Sequence, residues 1–168
     1  PLTDVMAQAS TPGLGESVAN RDLVGWMADY NSRREPGEHV RFSGFDGPIE
    51  MTSADSPRQA LIFLDSYLRT HLDERDLPCT PGRISALIGD DARWSDPAVA
   101  MDPTRSVGPT AEAGQLRLIA DDLMTLLASE APRLVAAGTR DAWWEAELHG
   151  RVATRLLSYH AGMAENSP

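Results

Sequence analysis

The chain has 168 residues, 42% of them hydrophobic and 24% charged, values that suit one globular domain and exclude a disordered polymer. Its 25 acidic residues outnumber 15 basic ones, for a net charge of -10. Such a surface repels phosphate backbones and anionic membranes, so nucleic-acid binding is excluded as the expected role.

Every basic residue is an arginine. Without lysine there is no P-loop and no Schiff-base chemistry. The lysine-free, Ala-, Gly- and Pro-rich composition fits a bacterial protein from a GC-rich genome. The single cysteine, Cys79, excludes an internal disulfide and any Cys-cluster metal site, and suits a cytoplasmic location. With no histidine or basic residue close in sequence, Cys79 reads as a small buried or loop residue. No run of about 18 apolar residues is present to span a membrane. The first residues have neither a basic nor an apolar region, so no signal peptide is expected. The expectation is one helical domain over 1–168, with loose ends at 1–19 and 164–168.

Residues 1–9 suit a short helix and 10–17 a turn-rich loop. Asn20 is placed to cap a helix over 21–31, in which Leu23, Trp26, Met27 and Tyr30 recur at helical spacing. Residues 32–38 break it. Val40 and Phe42, then Ile49 and Met51, alternate with polar residues around Gly44–Gly47, which predicts a small β-hairpin near 39–52. Ser56-Pro57 opens a strong helix over 57–75. Thr80-Pro81 opens a short one over 81–88, stopped by Gly89. Residues 89–110 read as a long acidic loop, with a brief turn at Asp96-Pro97. Thr110 precedes a helix over 111–131, whose stripe is Leu116, Ile119, Ala120, Leu123, Met124, Leu126 and Leu127. Pro132 interrupts, one more turn ends at Gly138, and a last helix covers 140–162. The fold class is mostly α, an irregular helical bundle with one small hairpin.

Ionisable residues break the sorting of two helices. On the last helix the apolar arc is Leu148, Val152, Leu156, Tyr159 and Met163, and Glu145, His149 and His160 fall within it. Glu145 and His149 stand one turn apart, where side chains meet. On the 57–75 helix the apolar face is Ala60, Leu61, Leu64, Tyr67, Leu68 and Leu72, and His71 lies on it, while Asp65, Arg69 and Asp73 point outward. A carboxylate beside imidazoles suits acid–base catalysis, or a divalent transition metal as the alternative role of Glu145, His149 and His71. Trp144, Tyr67, Tyr159 and His160 are candidates for the wall of a ligand pocket. His149 and His160 are eleven positions apart, about 16 Å along a helix, so one mononuclear site cannot use both. The competing reading is a set of core histidines bonded to carbonyls or carboxylates.

Weaker signals have structural explanations. The segment Thr80–Gly89 resembles a recognition helix only superficially and precedes Asp90-Asp91. Asp90, Asp91, Asp96 and Asp102 lack calcium-loop spacing. Arg33-Arg34 suits a solvated loop. Leu118 and Ile62 are apolar residues on polar faces.

Two functions remain. The first is a small acidic protein that binds a basic protein partner or a small molecule, with no cofactor. The alternative is a helical-bundle enzyme with Glu145, His149 and His71 as acid–base groups or metal ligands.

Overall fold

A computed structural model of the chain describes residues 17–42 and 54–165. The short helix expected at 1–9 lies outside them. The chain forms two compact units, Pro1–Phe45 and Asp46–Pro168. No helix among the described residues is long and apolar enough to cross a membrane.

In the first unit, helix α1 is Val18–Asn31. It starts earlier than Asn20 suggests, with Ser17 at the N-cap and no side-chain cap bond. Asn31 fastens the following turn. Its amide donates to Val40 O at 2.8 Å, and its Oδ1 accepts from Val40 N at 2.8 Å. Arg33 pairs with Asp29 at 2.5 Å, and the Arg34 guanidinium lies 4.0 Å over the Tyr30 ring. Both arginines of the pair therefore have local partners. Residues 39–42 form no strand. The rest of the expected hairpin, 43–52, lies outside the described residues, and no strand is found among those described.

The second unit is helical. Helix α2 is Arg58–His71, α3 is Arg83–Ile88, α4 is Ala111–Ser129, α5 is Ala131–Ala137 and α6 is Arg140–Glu165. Local chemistry sets most of these bounds. Ser56 Oγ accepts from Arg58 N at 3.3 Å at the start of α2. Thr110 Oγ1 accepts from Ala113 N at 3.2 Å and caps α4. Gly89 ends α3 with φ 65°, a left-handed position that only glycine takes without strain. Helix α2 stops at His71, short of the expected residue 75, because Leu72 turns extended with φ -122° and ψ 157°.

The expected face of α2 is buried throughout: Ala60, Leu61, Leu64, Tyr67, Leu68 and Leu72 all lie in the core. Helix α4 buries Ala113, Leu116, Ala120, Leu123 and Leu127 against it. Helix α6 packs on both α2 and α4. Its buried residues are Ala146, Gly150, Ala153, Leu156, Leu157 and His160. Leu156 and His160 belong to the arc read from the sequence, but the first half of the stripe is shifted from Leu148 and Val152 to the small residues. The offset has a steric reason. A Cβ at Gly150 would stand 2.1 Å from Met124 Sδ and 3.1 Å from Leu64 Cδ2. Small residues let the helix axes approach closely, so they win the interface over Leu148 and Val152, which are half-buried.

The acidic segment 89–110 is built of short 3₁₀ turns at Asp91–Arg93, Pro97–Ala100 and Pro103–Arg105. Its aspartates are their caps. Asp90, Asp96 and Asp102 accept from Ala92 N, Ala98 N and Thr104 N at 3.0, 2.9 and 3.2 Å. Each is an aspartate side chain closing on the amide two residues ahead.

Asp65 and Arg69 do not point freely outward. Arg69 Nε donates to Asp65 Oδ2 at 2.7 Å, with both side chains less than one-fifth exposed. The guanidinium also donates to Cys79 O at 2.6 Å. Cys79 Sγ stands 3.8 Å from Asp65 Oδ1. Burial, then the Asp65 charge, raises the thiol pKa, so Cys79 is held as a thiol and not as a nucleophilic thiolate.

Candidate active site

Helix α2 carries an open groove of about 610 Å³, lined among the described residues by Ile62, Phe63, Ser66, Tyr67, Thr70 and His71, with Arg58 at one end. Its long wall is one row of side chains: Phe63, Tyr67 and His71 follow at i, i+4 and i+8. Tyr67 and His71 lie with ring centroids 4.6 Å apart. Phe63 stacks on His149 of α6, with centroids 4.0 Å apart and planes 21° from parallel. The row thus joins three residues expected in a site, Tyr67, His71 and His149, with one that is not, Phe63. The same spacing was the available signal.

His71 has a defined tautomer. Its Nδ1 lies 2.8 Å from Tyr67 O. A carbonyl oxygen only accepts, so Nδ1 carries a hydrogen, and in the neutral ring Nε2 is the nitrogen with the lone pair. A Cβ on Gly138 would stand 3.1 Å from that Nε2, so the glycine after α5 leaves the imidazole room. Tyr67 is 9% exposed, and its hydroxyl is buried with no hydrogen-bond partner among the described residues. Burial raises its pKa, so it stays protonated.

That unpaired hydroxyl carries a desolvation penalty with nothing gained in return. The Tyr67→Phe variant is expected to be more stable than the wild type by about 1 kcal/mol. Urea titration checks this; a loss of stability of that size shows that the hydroxyl has a partner in solution.

Arg58 is committed elsewhere. Its Nε donates to Asp91 Oδ2 at 2.7 Å, and its guanidinium also bonds Gly89 O. The Ser56 hydroxyl, then Arg58, hold the Asp91 carboxyl below its ordinary range.

The remaining expected residues fall outside the groove. Glu145 is exposed, because the buried stripe of α6 centres on Ala146 and Gly150 rather than on Leu148. Trp144 is 44% exposed. Phe63 and His71 are eight residues apart, about 12 Å along α2, so His149, which stacks on Phe63 and is not among the described residues lining the groove, stands away from His71. No group of three His, Cys, Asp or Glu side chains among the described residues is placed to hold a metal ion.

His160 and Tyr159 form a separate cluster. His160 is 3% exposed. Its ring meets Trp94 edge-on at 5.0 Å and Tyr159 at 5.7 Å, and its Nε2 donates to Asp55 O at 3.2 Å. Trp94 is itself anchored, its Nε1 donating to Ile88 O at 3.0 Å.

A family model described as erythromycin esterase matches residues 8–168. The match takes in nearly the whole chain, which therefore belongs to the erythromycin esterase family. Comparison with curated proteins and with solved structures gives no match.

Proposed function

We propose that the chain is part of a hydrolase that cleaves carboxylic esters, with the α2 groove as the surface that meets the substrate. The membership of the erythromycin esterase family over residues 8–168 carries this reading, and the family's name makes erythromycin the first substrate to try. The groove supplies what such chemistry asks for locally. Ile62, Phe63 and the Tyr67 ring offer an apolar wall, suited to a large substrate with much hydrocarbon.

His71 is the general base. Its Nε2 lone pair takes a proton from water as the water oxygen bonds the ester carbonyl carbon. The carbon–oxygen bond to the alkoxy group then breaks. The imidazolium returns the proton to the departing oxygen, and acid and alcohol leave. His149 stacks on Phe63 and shapes the far end of the wall. Glu145 has no part in this scheme.

The test is incubation of the chain with erythromycin and with neutral 4-nitrophenyl esters, followed by mass spectrometry. The expected products are 4-nitrophenol and the free acid from the nitrophenyl esters, and from erythromycin, whose ester closes a ring, one product heavier than the substrate by one water. Saturable binding of the esters without any hydrolysis contradicts the hydrolase and favours a binding protein for small molecules.

A further inference from the structure

His160 occupies the point where three segments distant in sequence are fastened together. Its imidazole reaches Asp55 O, just ahead of α2, at 3.2 Å. Its own carbonyl oxygen accepts from Ser106 Oγ at 2.9 Å. Gly108 lies so close that a Cβ there would be 1.9 Å from His160 O. Ser106 Oγ in turn accepts from Gly108 N at 3.1 Å, and Trp94 closes over the ring edge. Ser106 and Trp94 are buried with it.

We propose that His160 is a pH-operated latch, which holds the 94–108 segment and the start of α2 against α6 when neutral and releases that segment when protonated. The proposal is independent of the hydrolase reading. The neutral ring uses its one hydrogen on Asp55 O, so a second proton must go to Nδ1 inside a site that is 3% exposed. A charge there, without a counter-ion, has to reach water. Helix α6 is 26 residues long and does not yield. The 94–108 segment is made of short turns joined by bends, and it is the part that moves.

The ionisable side chains on the segments around the ring are Asp55, Asp91, Arg93, Asp96, Asp102 and Arg105, with Tyr159 beside it on its own helix. Asp91 and Asp96 are paired with Arg58 and Arg105. None of these charges sets the imidazole's affinity for a proton. Burial lowers it, and the Asp55 carbonyl raises it by a smaller amount. The folded pKa therefore lies below the ordinary 6.5, and the unlatched or unfolded chain takes the proton first. The latch's stabilisation is complete above about pH 6.5, and it is lost as pH falls toward the folded value.

Amide exchange read by mass spectrometry, corrected for its intrinsic pH dependence, tests this on the whole chain. Between about pH 7.5 and pH 5, protection of the 94–108 amides is expected to fall about tenfold or more while that of α4 holds. His160→Gln keeps a donor for Asp55 O and cannot be protonated, so its 94–108 protection stays flat with pH. Wild-type protection that does not change with pH overturns the latch, and so does an equal change in His160→Gln. If that variant does not fold, the wild type decides alone. The fall in 94–108 protection must begin near pH 6.5 and level off around the midpoint of the His160 imidazole resonance; a fall that continues well below that midpoint overturns the proposal.

Discussion

Replacing Gly108 by alanine is expected to destabilise the protein by about 3 kcal/mol or more. The added Cβ would meet His160 O at 1.9 Å, His160 C at 2.4 Å and Ala161 N at 2.7 Å. All three are backbone atoms of α6, so no side-chain rotation relieves the clash. Either the segment at 106–108 lifts from the helix or α6 distorts. Lifting also breaks the Ser106 bond to His160 O and the Arg117 Nη1 bond to Gly108 O at 3.0 Å. A urea titration measures the loss. A change below about 1 kcal/mol shows that residue 108 does not pack on α6 in solution.

The second large effect is at the centre of the bundle. Leu64 is fully buried and fills the space beside Gly150 that brings α6 onto α2. Leu64→Ala is expected to cost about 3–4 kcal/mol, the sum of lost burial and an unfilled cavity. The neighbouring Met124 is flexible and recovers part of the gap. The midpoint of denaturant unfolding should drop with little change in slope. A shift corresponding to less than about 1 kcal/mol contradicts close packing of α2 on α6.

The helices whose boundaries rest on local chemistry were legible in the sequence. Ser56-Pro57, Thr110 and Gly89 act where their side chains or φ preferences place them, and the apolar face of α2 follows the wheel, whereas Asp65 and Arg69, expected outward, pair under partial burial. Helix α6 shows why counting large apolar residues misplaces an arc. Its close approach is made at Ala146, Gly150 and Ala153, which score weakly on any hydrophobic scale, while the large Leu156 and Leu157 are buried farther along. Glu145 was carried inward by that error. The segment 89–110 looked unstructured because its turns are too short for periodicity to register. The triplets Asp90-Asp91-Ala92, Asp96-Pro97-Ala98 and Asp102-Pro103-Thr104 were its readable trace, since each aspartate caps the amide two residues ahead.

The candidate site was half legible. His71 stood out as an ionisable group on an apolar face, and Tyr67 as an aromatic member of that face. Phe63 did not, because an aromatic residue beside an apolar stripe attracts no notice until the row it makes with Tyr67 and His71 is traced. His160 shared its helix with His149 but belongs to another cluster, as their axial separation required. The family membership rests on the match over residues 8–168.

The most direct test of the hydrolase reading is the ester hydrolysis rate of the wild type against His71→Gln, with folding of both followed by circular dichroism. The variant keeps a polar side chain of similar reach but has no basic nitrogen. Activity is expected to fall about 10²–10⁴-fold with substrate binding retained. Undiminished hydrolysis by a folded His71→Gln contradicts the assignment of His71 and of the α2 groove as the place where the ester is cleaved.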